Sequence, residues 1–291
     1  MNEGYFDTGS VELHFLEGPP AGPPLVLLHP LFSKWREFAV LIPGLEKVAH
    51  VLALDFRGHG QSGRTDSYRI ESFVTDVAAF IRGRIGGPAI VFGHSLGGMV
   101  GLMLAAFHPE LVKALILGEA IISVEFLKQF SDAARPKTVW WREIAGLKSP
   151  ELIAEELRNE LIPDPATGQP APARRVYGEE SPYFKFFAEC LSRLDPGVFA
   201  ANIENWDESY AAYRPDELFT KIECPVLLLQ GRRELGGLMR DEDVDRALSL
   251  LSNGRRVRIE KAGHMLHLQD REGVLKAVAE FLASLPGEKT G

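Results

Sequence analysis

The sequence predicts an α/β protein, a doubly wound and mostly parallel sheet with one helical insertion between strands. Three observations carry this. Short continuous apolar runs recur (PLVLLH, VLALDF, AIVFG, ALILG), as strands buried on both faces require. Longer segments with helical spacing separate them, the alternation expected of strand–helix–strand units. The rhythm stops after Ile122, gives way to aromatic-rich helical sequence as far as about Pro215, and then resumes.

Taken in order, residues 10–16 alternate weakly and predict an edge strand. Residues 24–29 and 51–56 predict buried strands. Over 70–82, Ile70, Phe73, Val74, Val77, Phe80 and Ile81 fall near one helical face. Residues 89–93 predict a strand, 96–107 a Gly/Ala-rich helix suited to close packing on a sheet, and 114–118 a further strand. Residues 123–215 predict helices without strands, broken by an irregular Pro-rich loop at 163–172. Residues 225–230 and 257–260 then predict strands, and 241–251 and 272–285 helices. The expected division is a core of 1–122 with 216–291, and an inserted helical unit of 123–215.

Composition bounds the partners. The chain has 291 residues, 45% hydrophobic, and 32 basic against 40 acidic side chains give a net charge of −8. That balance disfavours nucleic acid and anionic membrane surfaces. No apolar run reaches the roughly 18 residues of a membrane span. Residues 1–7 show neither a basic nor an apolar leader region, so a cytoplasmic protein is expected. Cys190 and Cys224 lack metal or redox spacing and are expected to be buried free thiols.

The chemistry centres on Gly93-His94-Ser95-Leu96-Gly97, a G-x-S-x-G pattern directly after one strand and directly before one helix. A serine on so sharp a turn takes a strained backbone conformation, and its neighbours two residues away must be small. The following helix N-terminus adds N–H groups and partial positive charge. The plain alternative is that Ser95 only caps that helix.

With this turn and the stretch Asp55-Phe56-Arg57-Gly58-His59-Gly60-Gln61-Ser62, the chain resembles the α/β-hydrolase family along its whole length, in its capped, esterase-like branch. The resemblance implies that Asp55, Arg57 and His59 order a loop and do not react, with Ser62 as a turn residue. Dehalogenases and epoxide hydrolases of similar appearance carry Asp at the turn, so Ser95 favours acyl transfer through a serine ester.

The resemblance places the base at His264, in Lys261-Ala262-Gly263-His264, after the last strand. His267 is then a wall or capping residue, and His94 is expected to point into the scaffold. For the acid, Gly231-Arg232-Arg233-Glu234 matches the family's usual position after the strand that follows the insertion, so Glu234 is expected to orient the imidazole. Glu119, ending the strand before the insertion, and Asp241 are the competitors. The family's oxyanion donors fall on the backbone N–H groups of Leu31 and Leu96, with Pro30 in place of the usual Gly.

The insertion resembles a cap, whose aromatics supply both its own core and a pocket wall. Phe32, Phe126, Trp140 and Trp141 are the expected substrate-binding residues, and Tyr183 and Phe187 are further candidates. The function implied is hydrolysis of a carboxylic ester or lactone of a sizeable, mostly apolar small molecule, without metal or organic cofactor. The alternatives are a C–C bond hydrolase of vinylogous diketones, with Arg135, Arg142 or Arg193 holding an acidic group, and a hydrolase-like receptor with weak turnover.

Overall fold

The apolar runs form the middle of one sheet. A computed structural model describes residues 1–164 and 167–285. Its strands are β1 (Asn2–Asp7), β2 (Glu12–Glu17), β3 (Pro24–Leu28), β4 (His50–Leu54), β5 (Ala89–His94), β6 (Val112–Gly118), β7 (Leu161–Pro163), β8 (Pro170–Pro172), β9 (Val226–Gly231) and β10 (Gly254–Ile259). Eight of them order as β1-β2-β4-β3-β5-β6-β9-β10. β1 and β2 are antiparallel additions, and every pair from β4 to β10 is parallel.

Continuous hydrophobicity follows from burial on both faces. In β3, Val26 and Leu28 enter one core while Leu25 and Leu27 enter the other. The helices Ile70–Phe80 and Leu96–Phe107 cover the first face, and Arg271–Ser284 covers the second.

Two expectations need correction. The strand near residues 10–16 is not an edge, because β1 pairs along its outer side with Asn2 opposite Glu17. The insertion also contains strands: β7 and β8 pair antiparallel at the two ends of the stretch expected to be an irregular loop. Residues 165–166 of that stretch lie outside the described residues.

Between β6 and β9 the main helices are Val124–Ala145, Pro150–Asn159, Pro182–Arg193 and Pro196–Ile203. Ser123 and Ser149 cap the first two, their hydroxyls accepting from the N–H groups of Phe126 (3.2 Å) and Leu152 (3.3 Å). Tyr213, wholly buried, ties the end of this segment to the exit of β6 by donating its hydroxyl to the Ile121 carbonyl at 2.8 Å.

Among the described residues no helix is long and apolar enough to cross a membrane. Both cysteines are free; Cys190 is buried as expected, but Cys224 is only half-buried. Burial pushes the Cys224 thiol up to about 11.

Candidate active site

Ser95 sits where β5 turns into the helix Leu96–Phe107, with φ 53° and ψ −115°. That left-handed φ is unusual for a residue with a side chain. The backbone locks it: the Ser95 N–H donates to Gly118 O at 2.9 Å, and its carbonyl accepts from Gly98 (2.9 Å) and Met99 (3.1 Å). The side chain makes no capping bond to the helix. The capping alternative is therefore not realised, and the hydroxyl is left facing a cavity. The two flanking glycines are sterically required. A Cβ on Gly93 would stand 2.1 Å from Gly97 O, and one on Gly97 2.0 Å from Leu28 O.

His264 follows β10, and its Nδ1 lies 3.5 Å from Oε2 of Glu119. Burial lowers the His264 pKa, opposed by the nearby Glu119 carboxylate. Glu119 is wholly buried immediately after β6, at φ 46°. Its Oε1 accepts from Gly231 N–H at 2.7 Å, and its Oε2 from the N–H groups of Leu238 and, at 3.4 Å, Met239. These amides satisfy a carboxylate that would otherwise be costly to bury.

The expectation for Glu234 does not match this geometry. Its side chain is 72% exposed and pairs with Arg232 at 3.1 Å. The loop after β9 turns outward at Arg233–Leu235, so Glu234 points to solvent while backbone amides of the same loop cradle Glu119. Asp241 is taken up by Gln230 and Arg258.

Ser95 and His264 share a cavity of about 470 Å³ between the sheet and the inserted helices. Leu31, Leu96, Phe32 and Trp141 line it. Phe32 has φ 62°, and its ring stacks on Phe199 at 5.3 Å and meets Trp141 edge-on at 5.6 Å. Phe126 and Trp140 do not line it. Phe126 lies under the Arg233 and Arg240 guanidiniums, at 5.3 and 4.9 Å, and Trp140 packs half-buried against the main hydrophobic core.

The alpha/beta hydrolase family model matches residues 25–277. The chain belongs to this family. Its relatives include a putative esterase/lipase of Haemophilus influenzae, 23% identical over 89% of this chain and 83% of that one. A pimeloyl-[acyl-carrier protein] methyl ester esterase of Neisseria meningitidis is 29% identical over 94% of this chain and 81% of its own length. Among solved structures, the enol-lactonase from Burkholderia xenovorans superposes with TM-score 0.73 at 20% identity, covering 97% of this chain and 100% of that one.

In this alpha/beta hydrolase the polar loop after β4 is structural in its contacts. Asp55 accepts from the N–H groups of Trp35 (2.7 Å) and Gln61 (3.0 Å), and Arg57 forks onto Asp76 with two bonds of 2.6 Å. His29 donates to Pro30 O at 2.7 Å and accepts from Phe56 N–H at 3.0 Å; His59 donates to Arg57 O at 2.9 Å and accepts from Phe32 N–H at 3.4 Å. Each of these two histidines meets one acceptor and one donor and is therefore neutral. Together they hold the loop that carries Leu31.

Several cavity residues gave no motif signal. Phe130, Phe186, Ser131, Asn202 and Tyr210 line it alongside the candidates Tyr183 and Phe187. Helical spacing alone cannot say which side of an amphipathic helix faces a cleft and which faces its neighbours. Glu37 was also missed. It is a buried carboxylate at the base of the cavity, with no distinguishing pattern around it in sequence.

Proposed function

We propose that this hydrolase cleaves a carboxylic ester, or a lactone, of a mostly apolar small molecule through an acyl-enzyme on Ser95. The observation that carries the proposal is the pairing of a strained Ser95 turn with His264 on one cavity, with the amide-held Glu119 behind the imidazole. In this reading Glu119, and not Glu234, is the acid. It fixes the His264 tautomer and stabilises the imidazolium that forms when His264 takes the Ser95 proton. The Leu31 and Leu96 N–H groups stabilise the oxyanion; losing one such donor raises the barrier by about 3–4 kcal/mol. His264 then protonates the leaving alcohol and activates the water that frees the acid product.

Residues 123–215 act as the cap over this site. The cavity wall supports a neutral, largely apolar substrate. Its one cationic lining residue among those described, Lys137, is paired with Glu160 at 2.6 Å and lies over Trp141. Arg142, a candidate for holding an acidic group, is paired with Glu204. Substrates with a free carboxylate therefore find no uncommitted cation on this wall, which disfavours the C–C hydrolase alternative.

The test is a panel of esters and lactones of graded acyl and alcohol size, with one vinylogous diketone, on wild type and Ser95→Ala. Turnover of neutral esters by wild type and its loss in the variant are expected. Equal rates in both proteins, or cleavage of the diketone alone, would remove this function.

A further inference from the structure

His94 faces two acceptors. Its Nε2 lies 2.8 Å from the backbone carbonyl of His264, and its Nδ1 lies 3.2 Å from Oε1 of Glu37. A carbonyl oxygen only accepts, so Nε2 carries a proton. An ionised carboxylate also only accepts, so with Glu37 ionised Nδ1 carries one as well. His29 and His59, each with one donor and one acceptor, need no second proton. On its other side Ser33 donates its hydroxyl to Glu37 Oε2, and His267 Nε2 stands 3.3 Å from Oε1. Glu37, His94 and His267 are all buried.

We infer that Glu37 is a positioning residue for the proposed base: paired with an imidazolium at His94, it pins the segment 264–267 from behind and so sets the orientation of the His264 ring. The clamp grips that segment at both ends, through the His264 carbonyl and through the His267 side chain. The His94 and His264 rings lie 4.8 Å apart, and His94 and His267 5.0 Å apart. Burial alone would raise the Glu37 pKa, but the two imidazoles outweigh it and hold the group ionised. This role rests on the proposed hydrolysis, because it gives His264 something to be positioned for. Glu37 itself touches no reacting atom.

The charge arrangement has a consequence that packing alone lacks. The groups facing His264 are Glu119 after β6, His94 at the end of β5, and Glu37 in the turn Trp35–Val40; His267 in turn faces Glu37 and His94. The His94 cation is nearer to His264 than the Glu37 anion, so the pair disfavours a proton on His264. Replacing Glu37 by a neutral side chain leaves His94 neutral and lets His264 hold its proton to higher pH.

The experiment compares wild type, Glu37→Gln and Glu37→Leu in two ways. Nitrogen-15 NMR of the histidine rings at pH 7, with His94 assigned through His94→Gln, reports protonation directly. We expect both His94 nitrogens protonated in wild type and one in Glu37→Gln. Kinetics on an ester that the wild type cleaves reports positioning. Glu37→Leu should lower kcat about 10- to 100-fold, with KM changed by no more than about 3-fold. Glu37→Gln, which can still bond to His94, should recover most of kcat while the acid limb of kcat/KM moves up by about half a unit.

A neutral His94 in wild type would overturn the inference. So would a folded Glu37→Leu with wild-type kcat, or an unmoved acid limb in Glu37→Gln. Should Glu37→Leu fail to fold, the Glu37→Gln limb and the ring signals decide. Should the wild type cleave no ester, the proposed function fails on its own, and the His94 signals still decide whether the ion pair exists.

Discussion

His264 Nδ1 stands 3.5 Å from Oε2 of Glu119, a carboxylate from the end of β6 held by backbone amides of the loop after β9. Two strands thus share one task. β6 supplies the carboxylate and β9 leads into its cradle, so the carboxylate comes before the insertion in sequence although the cradle comes after it.

Glu119→Gln should lower kcat by about 100-fold or more, because a neutral amide neither fixes the imidazole tautomer nor stabilises its protonated form. Glu234→Gln should stay within about 2-fold of wild type, since that exposed side chain pairs with Arg232 at the surface. Steady-state kinetics on one ester separates the two. A larger loss in Glu234→Gln would reverse the assignment.

Gly97→Ala should destabilise the fold by roughly 2–4 kcal/mol and abolish measurable turnover, because the added Cβ meets backbone at Leu28 that cannot retreat. Gly101→Ala, one turn further along the same helix, meets only the side chains of Leu115 and Val91, at 3.0 and 3.3 Å. Ala also favours the helix at that position. Its thermal midpoint should lie within a few degrees of wild type. Comparable losses in both variants would show that the turn has no special need for glycine.

Stability should fall on mild acidification. Burial lowers the pKa of His29, and that of His59 to about 3. The unfolded chain then binds more protons below its ordinary 6.5, so these groups cost nothing above that pH and destabilise progressively beneath it. At pH 5, His59 alone contributes a loss of about 2 kcal/mol. Chemical denaturation at pH 7.5 and pH 5 should show the decline, and His59→Asn should flatten it despite being less stable at pH 7.5. A pH-independent midpoint in wild type would contradict this.

The acyl and alcohol size profile should respond to Trp141 and Phe187, whose rings meet at 4.9 Å on the cavity wall. Trp141→Ala should shift the preferred ester to a longer chain. Phe126→Ala should leave the profile unchanged, because that ring lies under two arginines away from the cavity. The rate-against-chain-length curve of each variant is the measurement.

The core was legible because periodicity and chemistry agree there. A run such as PLVLLH has no other stable home than a strand buried on both faces, and the helix Leu96–Phe107 begins and ends where the sequence places it. β1 was not legible. Its sequence NEGYFD is exposed or half-buried along its length, so no apolar run marks it. Glu234 faces solvent for a physical reason. Spacing after β9 marks Glu234, but the direction of that loop depends on Gly231, where a Cβ would stand 2.3 Å from Gly263 O, and on amides that carry no side-chain signature. The Glu37–His94 pair joins positions 57 residues apart, which no local pattern encodes.

The central claim is tested most directly by treating the native protein with a fluorophosphonate and locating the adduct by intact mass and peptide mapping. One phosphonyl group per chain on Ser95 is expected, with labelling slowed strongly in Glu119→Gln and lost in Ser95→Ala. Unlabelled wild-type protein, or equal labelling of the Ser95→Ala chain, would contradict the account.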